Sequence, residues 1–129
     1  MIKRTKFKDL LIIKNKKFPD KRGYFMEILK EKNLELNFPF LVTSYSKKNV
    51  LRGLHIQTNN KQGKYLSVIK GKIFDVCIDL RKNSKTYKKY FSIILSDRNS
   101  RSLYIPPGFA HGFCASEKDN NIIYSCTNY

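Results

Sequence analysis

Residues 73–81 read IFDVCIDLR. Side chains alternate with period two, as on a β-strand. Phe74, Val76, Ile78 and Leu80 share one side; Asp75, Cys77, Asp79 and Arg81 share the other. Alternation alone leaves open whether the polar side faces water or a polar interior. Just before this stretch lies KYLSVIKG, which ends in the turn residues KG. Farther out, similar short β-branched or aromatic runs recur: LLIIKN, YFMEIL, FLVTSYS, VLRGLHIQ, YFSIILSD, SLYIP, GFCAS and NIIYSC. Turn-forming clusters separate them, among them PDKRG, TNNKQG, RKNS, DRNS, PPG and EKDNN. Met26–Leu36 alone is rich in helix formers, and at most a turn or two of helix is expected there. Many short strands at regular spacing predict an all-β sandwich or small barrel.

Length and composition set the bounds. The chain has 129 residues, 41% of them hydrophobic and 13% aromatic, which predicts one globular domain over 1–129. No apolar run approaches the roughly 18 residues of a membrane helix. The patch Leu10–Ile13 is too short for a signal sequence and reads as a first strand. Cys77, Cys114 and Cys126 form an odd set without CxxC spacing, which predicts reduced thiols. The net charge is +16. Its lysines are scattered along the chain, which reads as a solvated surface. Nucleic acid is disfavoured as a partner, because no motif of the known binding modules is present.

The two histidines sit in LRGLHIQ (51–57) and PPGFAHGF (106–113), both apolar and glycine-bearing. His55 suits a general base, because an imidazole titrates near neutral pH. Lys64, at the start of the next strand, offers a cation for a developing oxyanion. Arg22 and Arg52 suit phosphate oxygens through bidentate guanidinium geometry. Arg52 and His55 are three apart and would point to opposite faces of an ideal strand. A bulge at Gly53 would bring both inward.

Several motifs in order resemble the dTDP-4-dehydrorhamnose 3,5-epimerase family. They are FPDKRGYFMEI, LRGLHIQ, QGKYLSVIKGKIFDVCIDLRKNSKT, LSDRN, LYIPPGFAHGF and YSCTNY, and they run from about Phe18 to Tyr129. The resemblance implies a cupin jelly-roll β-barrel or sandwich, truncated at the C-terminus relative to the family. It implies epimerisation at C3 and/or C5 of a dTDP- or GDP-linked 4-keto-6-deoxy sugar through an enolate. No cofactor is implied, since the substrate's ketone is the electron sink. The resemblance assigns the base to His55, enolate stabilisation to Lys64 and the opposite-face acid to Tyr124. It assigns substrate contacts to Arg22, Phe25, Glu27, Arg52, Gln57, His111 and Tyr129, with Tyr129 stacking on the base. It also implies a homodimer, with Arg22 and Glu27 often serving the site across it, in a bacterial cytoplasm and in surface-polysaccharide sugar synthesis.

Metal-binding cupins begin their site with an H-x-H pair. Here that stretch reads HIQ, so no metal is expected. The same departure argues against the related 3,4-ketoisomerases. Two further departures stand out. Family members continue past the position of Tyr129 and take from that tail an aspartate that orients the catalytic histidine. Asp75 or Asp79 would fill this role if their face points inward. A non-catalytic nucleotide-sugar-binding cupin lacking the C-terminal acid is the alternative reading. The family's Q-D-N stretch is replaced by Phe40, Leu41 and Val42.

Overall fold

The computed structural model describes residues 1–56 and 62–129. Among these, twelve strands and one short helix follow in order: β1 (Ile2–Arg4), β2 (Leu11–Lys14), β3 (Lys16–Asp20), β4 (Gly23–Glu27), α1 (Glu31–Leu34), β5 (Phe40–Lys47), β6 (Leu51–His55), β7 (Lys64–Lys70), β8 (Lys72–Asp79), β9 (Tyr90–Ser96), β10 (Arg101–Ile105), β11 (Phe109–Ala115) and β12 (Asp119–Cys126). They form a six-stranded sheet, β1-β2-β10-β7-β12-β5, a four-stranded sheet, β6-β11-β8-β9, and the separate hairpin β3-β4. Every pairing is antiparallel. Every strand run expected from the sequence is present. The strands β1 and β3 were not expected: both are short and rich in Lys and Arg, and β3 carries Pro19.

The two larger sheets close on one core. Leu66, Val68, Leu103, Ile105 and Ile122 come from one; Ile73, Cys77, Ile93, Leu95, Phe109 and Phe113 come from the other. Full burial of each large apolar side chain contributes about 1.5–3 kcal/mol. Phe7 plugs one end, edge-on to Phe91 at 6.0 Å and to Phe109 at 6.2 Å between ring centroids. The expected turn of helix, α1, lies in a segment whose Ile28, Leu34 and Phe38 pack on Ile13, Tyr65 and Tyr104.

Strand β8 settles the question its sequence left open. Ile73, Asp75, Cys77 and Asp79 point inward and are buried, while Phe74 is 48% exposed. The acids tolerate burial because each has partners. Asp79 accepts from Arg81 Nε at 2.9 Å, Arg81 Nη2 at 3.0 Å and Ser84 Oγ at 2.6 Å, and from Thr86 Oγ1. This ties down the 80–89 connection. Burial pushes the Asp79 carboxyl up, but these donors outweigh it and hold it well below the usual carboxylate range.

Strand β6 carries the irregularity expected at Gly53. His55 pairs with His111 and Arg52 with Phe113, so β6 spends three residue steps where β11 spends two. That is a bulge. Gly53 has φ +103°, and a Cβ there would meet the Gly112 Cα and the His111 carbonyl at 2.7 Å. Only glycine fits such a backbone beside so close a neighbour. The extra residue turns Arg52 and His55 to the same side.

Candidate active site

A cavity of about 310 Å³ lies between the sheets, lined by side chains of their edge strands β5 and β6 and by β7, β11 and β12. His55, Lys64 and Tyr124 all line it, as do Arg52, His111 and Tyr129. A smaller recess of about 30 Å³ adjoins it, sharing His55, Gln62, Lys64 and His111. Larger hollows, of about 580 and 670 Å³, sit on surfaces rich in Lys and Arg and hold no histidine. Another, of about 150 Å³ near α1, also lacks histidine.

Each position follows from local structure. His55 ends β6, exposed, beyond the bulge. Lys64 opens β7, half-buried, with its backbone opposite Cys126 of β12. Tyr124 points into the cavity from β12, on the same face as Ile122 and Cys126. Its hydroxyl lies 3.3 Å from Ser44 Oγ. Burial pushes the Tyr124 phenol up, partly countered by Ser44 and by the charge of Arg52, so the group holds its proton at neutral pH. Arg52 donates from Nε to Ser46 Oγ at 2.7 Å and from Nη2 to the Tyr45 carbonyl at 3.0 Å. It therefore clips the edge of one sheet to the edge of the other, and its guanidinium is held at the cavity wall.

At the cavity floor, His111 Nε2 lies 2.6 Å from Asp75 Oδ2. Asp75 is fully buried, and Cys77 Sγ donates to its other oxygen at 3.5 Å. Burial pushes the Asp75 carboxyl up; His111, Cys77 and the Lys64 ammonium pull it part of the way back. Burial also raises the Cys77 thiol, so it stays protonated. The inward polar face of β8 thus supports His111 rather than His55. The expectation that Asp75 or Asp79 orients His55 is corrected: Asp75 is taken by His111 and Asp79 by Arg81 and its loop.

Arg22, Phe25 and Glu27 do not reach this cavity within one chain. They lie on the β3-β4 hairpin: Arg22 pairs with Asp20 at 2.7 Å, Phe25 packs on Phe18 at 6.1 Å and Glu27 pairs with Lys30 at 2.7 Å. Gln57 lies outside the described residues. Sequence reasoning missed the pairing of Asp75 with His111, and it missed Val42, Phe40 and Cys126 as lining. A period-two count along β5 and β12 places Phe40 and Val42 beside Cys126 and Tyr124, and the register confirms that pairing. Among the described residues, no group of three or more His, Cys, Asp or Glu is placed to hold a metal ion. No helix among them is long and apolar enough to cross a membrane.

The sequence profile of the dTDP-4-dehydrorhamnose 3,5-epimerases matches residues 4–129. The chain belongs to that family. It is 46% identical to the dTDP-4-dehydrorhamnose 3,5-epimerase of Methanothermobacter thermautotrophicus over 129 residues, covering 96% of this chain and 70% of that one. With the Salmonella typhimurium epimerase it shares 42% identity over 133 residues, covering 98% and 73%. A crystal structure of the Legionella pneumophila 3,5-epimerase in complex with dTDP-4-keto-L-rhamnose superimposes with a TM-score of 0.94 at 40% identity, covering 100% of this chain and 72% of that one. The Bacillus anthracis epimerase, with TDP and pyrophosphate bound, gives 0.94 at 39%, covering 100% and 78%. The antiparallel sandwich is therefore the cupin jelly roll of the epimerase family.

Proposed function

We propose that this chain epimerises C3, C5 or both of a dTDP-linked 4-keto-6-deoxy sugar, through an enolate and without a cofactor. The convergence of His55, Lys64 and Tyr124 on one cavity carries this reading. The substrate's 4-keto group acidifies its neighbouring C–H bonds. His55 takes the proton from carbon, and the electron pair moves onto the ketone oxygen as an enolate. The Lys64 ammonium stabilises that oxyanion. Tyr124 returns a proton to the opposite face, and its phenolate then recovers one from solvent. Arg52 holds the diphosphate at the wall, with Tyr129 at the nucleoside. His111, oriented by buried Asp75, completes the floor beside Lys64.

The active unit in this reading is a homodimer in the cytoplasm. The row Leu51, Cys114, Phe74 and Ile94 runs across the outer face of the four-stranded sheet. In it Leu51 is 73% exposed and Ile94 49%. A second copy packed there would cover this apolar row. Arg22, Phe25 and Glu27 would then serve the partner's cavity from the hairpin. Incubation with dTDP-4-keto-6-deoxyglucose, followed by proton NMR, tests the function. Inverted configuration at C3 or C5 is expected. Unchanged sugar after many enzyme equivalents would overturn it.

A further inference from the structure

We infer that the loops 5–9 and 80–89 form one basic cap that docks on the anionic phospholipid face of a bilayer, held by charge rather than by insertion. The inference goes beyond the epimerase reading and does not depend on it. The lysines are scattered along the sequence, yet the fold gathers a set of them. Lys6, Lys8, Lys82 and Lys85 line the hollow of about 670 Å³, beside the end of the core that Phe7 plugs. Lys88 and Lys89 close the same 80–89 connection. All six of these lysines are exposed, and none forms an ion pair among the described residues. Asp9 is the one acid among the residues lining that hollow.

The cap is preorganised. Arg81 Nη1 donates to the Lys8 carbonyl at 2.9 Å, which ties one loop to the other. The 80–89 loop folds around buried Asp79, which accepts from Arg81, Ser84 and Thr86. Its later turn is held by Tyr87 N donating to the Ser84 carbonyl at 3.2 Å and Lys88 N to the Asp79 carbonyl at 2.6 Å. The carboxylate of this loop is therefore spent inward with Arg81, while the lysines are left facing out under a positive field. Phe7, the apolar residue of the first loop, is buried in the core, so the cap offers charge and not an apolar wedge. Its complement is a surface of fixed negative charge. Two observations favour lipid phosphates over nucleic acid. The free cations are lysines, point charges suited to diffuse attraction, and the one guanidinium lining the hollow, Arg81, is engaged. The exposed ring beside them, Tyr87, has the Lys88 ammonium 5.4 Å from its centroid, so it serves a lysine rather than a stacked base.

Vesicle co-sedimentation of the full chain tests the cap, with phosphatidylcholine alone set against equal parts of phosphatidylcholine and phosphatidylglycerol. The chain should pellet with the anionic vesicles and not with the neutral ones. Salt at about 1 M, where the screening length is about 3 Å, should release it. Each lysine near such a surface is worth about fivefold in affinity, so Lys82→Gln with Lys85→Gln should weaken binding by about 30-fold. Lys47→Gln with Lys48→Gln removes the same charge at the other end of β11, where Asn49 N donates to the Ala115 carbonyl. That pair lies well beyond a screening length from the cap and should leave binding within about threefold. None of these side chains lines the cavity or its recess, so both variants should keep the parental Tm and activity. No binding to anionic vesicles, equal binding to neutral ones, or the same loss from both pairs would overturn the inference. So would complete displacement from the vesicles by a mixed-sequence single-stranded RNA at matched phosphate concentration, which would assign the cap to nucleic acid. The epimerase reading fails separately: sugar left unchanged by a chain that still pellets with anionic vesicles would sink that reading alone.

Discussion

Replacing Tyr124 by Phe removes one oxygen and separates two quantities. Among the described residues the hydroxyl makes one hydrogen bond, with Ser44, at 3.3 Å. That is long for an O–H···O contact, so its loss should cost about 0.5 kcal/mol, the low end for such bonds. The ring stays, so burial is kept. If the hydroxyl is the acid that protonates the enolate, turnover should fall by about 10²–10⁴. That corresponds to roughly 2.7–5.5 kcal/mol in the barrier, several times the stability cost. The contacts proposed for the nucleotide, Arg52 and Tyr129, are untouched, so KM should stay within about threefold. Proton abstraction by His55 should survive, so C3 and C5 should still take up deuterium from D₂O while inversion slows. Steady-state NMR assays and a thermal melt measure both. A variant that inverts the sugar within tenfold of the parent rate, with Tm intact, would refute the assignment of Tyr124 as the acid.

Gly53→Ala should lower stability by more than about 2 kcal/mol, because a positive φ and backbone atoms 2.7 Å from the new Cβ both oppose it. The urea midpoint should fall at constant m, and a shift equivalent to under 0.5 kcal/mol would contradict the bulge geometry. Asp79→Asn should cost about 3 kcal/mol at neutral pH, as expected when a buried ion pair loses one member. Asp79 is held below its unfolded value in the fold, so its contribution is fully present above about pH 4 and is lost progressively as pH falls from there toward its lowered folded value. Parent and variant stabilities should therefore converge in acid, and a gap that stays constant from pH 7 to pH 3 would exclude this linkage.

The strand pattern was legible because period-two runs and turn residues are local signals. Facing was not. The strand 73–81 alternates perfectly, yet its charged side is the buried one. What decides this is whether Asp75 meets His111 and Asp79 meets Arg81, and those partners are set by register. Strands β1 and β3 were hidden by their basic residues, which an exposed edge strand and a hairpin outside the main sheets tolerate because so little of either is covered. The cavity residues on the jelly roll, His55, Lys64, Tyr124, Arg52, His111 and Tyr129, were legible through motif order. The bulge at Gly53 was legible too, since Arg52 and His55 needed it to share a side. Phe40 and Val42 drew notice only as departures from a family pattern, and their place on the cavity wall emerges from the pairing of β5 with β12. Arg22, Phe25 and Glu27 stand apart because a hairpin outside both main sheets can project away from its own core.

The central claim is that His55 abstracts a proton from carbon beside the ketone. Its most direct measurement is deuterium uptake by dTDP-4-keto-6-deoxyglucose in D₂O, followed at C3 and C5 by NMR and mass spectrometry. The parent chain should label C3, C5 or both. His55→Ala should abolish labelling while TDP still binds, since the contacts proposed for the nucleotide, Arg52 and Tyr129, do not include His55. Labelling at parental rates in His55→Ala would place the base elsewhere and contradict the account.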